Sequence, residues 1–171
     1  MAVGGSYAYN KVEICNFLKE RLYEDGIIDP LILDVGAGGG TYKYYFGPSY
    51  RFEAVEIWPE SIEQLKKFKY EKIYEQDIRS FEYFKVYDLI IFGDILEHLT
   101  VEDAQAALKK AERYGKHIMI GVPFKLEQEA LYGNEAEKHI QSDLTYELFK
   151  QRYPGYKLII GRTDLYGYFY K

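Results

Sequence analysis

The sequence predicts an α/β fold: a three-layer sandwich in which a seven-stranded, mostly parallel sheet with an antiparallel terminal strand lies between two helix layers. Three observations predict it. Short apolar runs bounded by turn residues alternate five times with segments of helical character, the pattern of parallel strands joined by helical crossovers. The first run, Leu31 to Val35, breaks into a glycine-rich turn, Gly36 to Gly40, that feeds a helix. The chain closes on two strand-like runs, 156–162 and 165–171, joined so tightly that they form an antiparallel hairpin.

The elements follow in order. Residues 1–9 are small and polar with two tyrosines and are expected to be a flexible lead-in. Asn10 reads as an N-cap with Glu13 completing a capping box, and Val12, Cys15, Leu18 and Leu22 as the inward face of a helix that Gly26 ends. After the glycine turn comes a short helix, 41–46, then a strand over 52–57. Pro59 opens a helix whose apolar face is Ile62, Leu65 and Phe68. A third strand covers 72–76, a loop or short helix 80–84, and a fourth strand 87–92. Thr100 and Asp103 form a second capping pair, with Ala104, Ala107, Leu108 and Ala111 facing inward. The fifth strand, 117–122, stops at Pro123. Residues 123–142 lack periodicity, and a loop of that length in a compact domain is expected to be functional, here a mobile lid. Thr145 caps a last helix that Pro154 and Gly155 stop. No repeat or linker divides 1–171, so a single domain is expected.

Four acids end the first four strands: Asp34, Glu56, Asp77 and Asp94. The carboxyl ends of parallel strands border the crevice of such a sheet, so all four are directed at one site. The glycines run Asp34-x-Gly36-x-Gly38-x-Gly40, and the third glycine of a dinucleotide fingerprint would fall on Thr41. An acid beside the turn disfavours a pyrophosphate and favours a sulfonium or ammonium. Glu56 lies 22 residues after Asp34, the spacing of an acid that takes both ribose hydroxyls.

This register resembles motif I of the class I S-adenosylmethionine-dependent methyltransferases, whose Rossmann-like layout also matches residues 10–171 to the antiparallel last strand. The resemblance implies that Asp34 and the turn Gly36, Ala37, Gly38 and Gly40 hold the methionine part of S-adenosylmethionine, and that Glu56 takes the ribose. It implies that Ile57 and Trp58 flank adenine, Asp77 accepts from the adenine amino group, the Ile78 amide reaches a ring nitrogen, and Gly93 and Asp94 lie beneath the methyl donor.

Gly93-Asp94-Ile95-Leu96 differs from the Asn/Asp-Pro-Pro-aromatic motif of base and glutamine N-methyltransferases. Cys15, the only cysteine, is far from the Pro-Cys position of the cytosine-C5 enzymes. Asp94-Ile-Leu-Glu97-His98 resembles the acid-x-x-Glu-His segment of ubiquinone-type O-methyltransferases, and the metal segment of small-RNA 2′-O-methyltransferases, where a later histidine completes the site. If helical, Asp94, Glu97 and His98 share a face, and with His139 they are candidate ligands for Mg²⁺, Mn²⁺ or Zn²⁺. Asp94, His98 and His139 are the candidate catalytic residues, the imidazoles as bases. His117, at the start of a strand, is assigned a structural role.

Composition bounds the rest. A formal charge of −5 and a pI near 5.3 give no global basic field, which argues against a nucleic-acid acceptor. No apolar run approaches a membrane span and the N-terminus lacks signal-peptide character, so a cytoplasmic enzyme is expected. Tyr is abundant at 19 residues, read as core-edge packing rather than as a substrate wall. The expected function is methyl transfer to a small-molecule or glycan-like acceptor at oxygen. RNA 2′-O-methylation and a non-catalytic cofactor-binding subunit are the alternatives.

Overall fold

The computed structural model describes residues 9–131 and 133–171. The expected flexible lead-in, Tyr9 apart, lies outside them. Seven strands form one sheet in the order β3-β2-β1-β4-β5-β7-β6. The strands are β1 (Leu31–Val35), β2 (Arg51–Glu56), β3 (Lys72–Glu75), β4 (Tyr87–Gly93), β5 (Gly115–Pro123), β6 (Lys157–Arg162) and β7 (Tyr166–Tyr170). Pairing is parallel from β3 through β5, and β7 runs antiparallel to both its neighbours. The predicted sheet is therefore the observed one.

Alternate side chains of the central strands enter two separate cores. Leu33, Val35, Ile90, Phe92, Ile118 and Ile120 pack on one face with α4 (Val101–Ala111) and α5 (Tyr146–Arg152). Ile32, Phe52, Leu89, Ile91 and Met119 pack on the other with α1 (Lys11–Glu24) and α2 (Thr41–Phe46). α3 (Pro59–Leu65) adds Leu65 against Ala37 and Ala54. Burial on both faces explains why these strands read as continuous apolar runs. Tyrosine supplies part of the second core: Tyr42, Tyr166 and Tyr168 are each 2% exposed or less. Tyr7 lies outside the described residues.

Two local expectations fail. Asn10 adopts a left-handed conformation, φ 49°, and its side chain caps nothing, so the predicted capping box with Glu13 is absent. Val12 is half exposed, and Lys11 and Ile14 take the inward positions instead. Cys15, Leu18 and Leu22 face inward as read from periodicity, so the buried lysine displaces only the first position of the apolar face. The caps on α4 and α5 do form: Thr100 accepts from the Asp103 amide and Thr145 from the Leu148 amide, both at 3.1 Å. Residues 80–84 form no helix.

The order reverses between β1 and β4, the topological switch point where a doubly wound sheet opens a crevice at its strand carboxyl ends. Register brings those ends level, with Val35 beside Phe92 and Val55, and Gly93 beside Gly121. The turn after β1 and the residues after β4 flank the opening.

Candidate functional site

Two lobes occupy the crevice, with empty volumes of about 860 and 790 Å³ including space open to solvent. They share Gly36, Glu56, Ile57, Ile95, His98 and Ala136. The first lobe adds Ala37, Gly38, Gly93, Asp94, Glu97 and His139. The second adds Asp77 and Ile78.

Glu56 ties the site together. Its Oε2 accepts from the Gly38 amide at 2.7 Å, and Oε1 accepts from the amides of Ile57 and Trp58 at 2.8 and 2.9 Å. One carboxylate at the end of β2 thus fixes both the glycine turn and the entry to α3. Gly36 (φ 65°) and Gly38 (φ 51°) take left-handed backbone, which glycine adopts without strain. A Cβ at Gly36 would lie 2.7 Å from the Ile95 side chain.

Other predicted positions fall elsewhere. Gly40 borders neither lobe; its Cα faces Leu65 and Phe68, where a Cβ would lie 3.2–3.3 Å from their carbons. Asp34 is 1% exposed and stands behind the turn, accepting from Tyr70 Oη at 2.9 Å. Burial pushes its carboxyl up to about 7, against the lowering effect of Tyr70 and Lys11. Trp58 borders neither lobe. Asp77 is held by Arg79 at 2.5 Å, and that guanidinium keeps its carboxyl below the usual range. The glycine at 93 has a packing cause: a Cβ there would lie 2.1 Å from Cε2 of Tyr42.

Asp94 does not share a helical face with Glu97 and His98. It sits at φ 56°, before the single 3₁₀ turn Leu96–His98. Its carboxylate is clamped by Lys11 Nζ at 3.1 Å and Tyr166 Oη at 2.7 Å, two groups 83 and 72 residues away in sequence. Lys11 Nζ also donates to Tyr42 Oη at 2.7 Å and lies 4.3 Å from that ring's centroid.

Glu97, His98 and His139 do converge, with one donor atom of each within 4.8 Å of the others. The two rings meet edge to face at 4.8 Å. Their Nδ1 atoms face backbone carbonyls, His98 to Lys138 at 3.2 Å and His139 to Leu126 at 2.7 Å. Burial lowers His98 to about 4 and lowers His139 as well. Glu97 is 1% exposed, its Oε2 meets no hydrogen-bond partner among the described residues, and burial holds its carboxyl well above the usual range.

Sequence reading missed Leu126, Gln128, Asn134 and Glu137, all on the first lobe and all from the aperiodic segment. That segment is anchored at its far end: the Glu97 carbonyl accepts from Ile140 and Gln141 amides at 2.9 and 3.0 Å, and Gln141 Nε2 donates to the Leu96 and Leu99 carbonyls. His117 holds Tyr170 and Asp25, a structural position. No tyrosine among the described residues borders the two lobes. Nor, among those residues, is any helix long and apolar enough to cross a membrane.

A family model described as a methyltransferase domain matches residues 33–117, which span β1 to the start of β5. No curated protein matches the sequence. Among solved structures, the chain is similar to an S-adenosylmethionine-dependent methyltransferase from Clostridium acetobutylicum, with 18% identity and TM-score 0.59, over 70% of this chain and 52% of that one. The chain thus spans about half the length of that protein. The plantazolicin methyltransferase BpumL, in complex with a triazolic desmethylPZN analogue and S-adenosylhomocysteine, matches at 15% identity and TM-score 0.68, over 95% and 85% of the two chains. The N-methyltransferase NodS from Bradyrhizobium japonicum, with S-adenosylhomocysteine, matches at 16% identity and TM-score 0.62, over 93% and 86%. Likeness at these identities is a likeness of fold.

Proposed function

The chain belongs to the class I S-adenosylmethionine-dependent methyltransferases, and from that premise we propose that it moves a methyl group from S-adenosylmethionine to a hydroxyl of a small-molecule or glycan-like acceptor. The observation that carries the reading is one crevice lined by the Gly36–Gly38 turn, Glu56, the end of β4 and two imidazoles, His98 half-buried and His139 buried. S-adenosylmethionine supplies an electrophilic methyl on a sulfonium when bound, and the protein supplies alignment and electrostatics.

Glu56 accepts from a ribose hydroxyl with the one lone pair that its three backbone donors leave, on Oε2. Ile57, which borders both lobes, flanks adenine, whereas Trp58 stays outside the crevice. Ile78 and Asp77 lie on the lobe that takes the base. Gly36, Ala37 and Gly38 face the methionine part, with Asp34 and Gly40 bracing the turn from behind. Gly93 and Asp94 support the donor. Holding nucleophile and methyl near contact supplies about 7–11 kcal/mol of a barrier.

A hydroxyl must lose its proton as it attacks. His98 and His139 are neutral at pH 7; the Leu126 carbonyl facing Nδ1 of His139 leaves its Nε2 to receive that proton, whereas the His98 ring also meets the Glu137 backbone. A neutral imidazole suits a hydroxyl acceptor better than it suits an amine that is already nucleophilic when deprotonated.

The test is transfer of radiolabelled methyl from S-adenosylmethionine to a panel of phenols, catechols, sugars, amines and short RNA. Label on the oxygen of a small acceptor is expected. Label on RNA or amines alone refutes the acceptor, and no transfer to any lysate fraction refutes catalysis.

A further inference from the structure

We propose that Lys11 and Tyr166 are positioning residues for the cofactor crevice, and that Asp94 serves the crevice through its backbone rather than through its carboxylate. Both oxygens of that carboxylate are engaged: Oδ2 accepts from Lys11 Nζ at 3.1 Å and Oδ1 from Tyr166 Oη at 2.7 Å. The donors come from distant parts of the chain, the first residue of α1 and the first of β7. Neither borders the crevice, so the side chain of Asp94 is turned toward the layer behind it. The inference rests on the crevice being the S-adenosylmethionine site, and not on which acceptor is methylated.

The backbone of Asp94 is where strain sits. At φ 56° the Cβ of an L residue crowds the following carbonyl, and aspartate ordinarily tolerates this through a local hydrogen bond from its own side chain. Here the carboxylate is held instead by groups 83 and 72 residues away. Of the described non-glycine residues with positive φ, Asn10, Asp94 and Lys125, only Asp94 borders the two lobes. Strain that surrounding contacts maintain at a site points to a role there. The left-handed turn redirects the chain after β4. The next side chain, Ile95, lands against the glycine turn, with its Cδ1 2.7 Å from where a Cβ at Gly36 would lie, and the 3₁₀ turn carrying His98 follows. Ile95 and His98 border both lobes, so relaxing the turn at Asp94 would move a wall of each.

Lys11 is itself fixed. It is 1% exposed, and its Nζ donates to Tyr42 Oη at 2.7 Å. The ammonium lies 4.3, 5.8 and 5.4 Å from the ring centroids of Tyr42, Tyr166 and Tyr168, so three aromatic faces and one carboxylate replace its water. Gly93 lets this cage close, since a Cβ there would lie 2.1 Å from Cε2 of Tyr42. The cage draws on α1, α2 and β7, and through Asp94 their packing sets the direction in which the chain leaves β4.

The test compares S-adenosylhomocysteine affinity by calorimetry across folded variants. D94A and D94G both remove the carboxylate and leave Lys11 equally without its anion, so they differ only in the Cβ. D94G should bind about tenfold more tightly than D94A, because glycine takes the left-handed turn without the Cβ penalty. K11M should bind about tenfold more weakly than the unvaried protein, as the turn becomes a minor population, and Y166F should weaken binding in the same direction. K11M/D94G and K11M/D94A remove both members of the buried pair and so keep the fold; the first should again bind more tightly than the second. Independently of any ligand, backbone NMR shifts of residue 94 should report positive φ in the unvaried protein and its loss in K11M. Equal weakening in D94A and D94G would show that the carboxylate itself acts and overturn the proposal, as would unaltered affinity in both K11M and Y166F, or K11M shifts that keep the positive φ. If the unvaried protein binds no S-adenosylhomocysteine, the cofactor reading fails and the shifts alone decide whether Lys11 holds the turn.

Discussion

Asp34 is expected to make the protein less stable as pH rises from about 4 to about 7. Its carboxyl is fully buried, and burial lifts it from an ordinary value of 3.8 to about 7. Below pH 4 both folded and unfolded chains carry the proton, and the full stability is present. Between the two values the unfolded chain has released the proton while the folded one retains it, so stability falls with rising pH and levels off above about 7. A shift of that size, at 1.36 kcal/mol per unit, corresponds to about 4 kcal/mol. Asn at this position keeps an oxygen for Tyr70 Oη, which donates to Asp34 at 2.9 Å, and removes the charge. Denaturant unfolding of the unvaried protein and D34N, each from pH 4 to 8, isolates the effect, because the difference cancels every other titration. The unvaried protein should lose about 4 kcal/mol relative to D34N across the window, with a slope no steeper than about 1.4 kcal/mol per pH unit. A difference that stays flat, or that favours the unvaried protein at higher pH, would show that Asp34 is ionised in the folded state and refute the reasoning.

Three more outcomes follow from the same geometry. Glu56→Ala should weaken S-adenosylhomocysteine by about 1.5–3 kcal/mol, the range for a hydrogen bond to a charged group; unchanged affinity by calorimetry in a folded variant means Glu56 is not the ribose acid. Gly93→Ala should cost about 1–3 kcal/mol by overpacking, because its Cβ meets a Tyr42 ring pinned by Lys11; an unaltered melting temperature would contradict the packing. In hydrogen exchange of the free protein, the amides of His139, Ile140 and Gln141, all bonded to backbone carbonyls, should be slow. Residues 127–131 should exchange faster and slow on ligand binding if they close as a lid; uniform slow exchange across the segment would rule the lid out.

Much of the fold was legible because the determinants were local. Parallel strands buried on both faces appear as apolar runs, and Pro59, Thr100 and Thr145 mark helix starts where the chain uses them. The start of α1 was misread because Lys11 is drawn inward by partners 31 and 83 residues away, Tyr42 and Asp94, which no helical period reveals. The same clamp removed Asp94 from the predicted ligand set. The strand-end rule located the crevice but not which way each acid points: Glu56 enters it, Asp34 turns into the layer behind and Asp77 is held by Arg79. Gln128 and Glu137 had no signal at all, since an aperiodic segment is placed by its tertiary anchors rather than by its own pattern.

The measurement that bears most directly on the central claim is calorimetric titration of one preparation with S-adenosylmethionine, S-adenosylhomocysteine and NAD, alongside Gly38→Val. The account predicts one competitive site for the two adenosyl compounds, no heat with NAD, and loss of binding when a β-branched side chain is forced onto the left-handed backbone of the turn. Binding of NAD without S-adenosylmethionine, or normal binding by folded Gly38→Val, would contradict it.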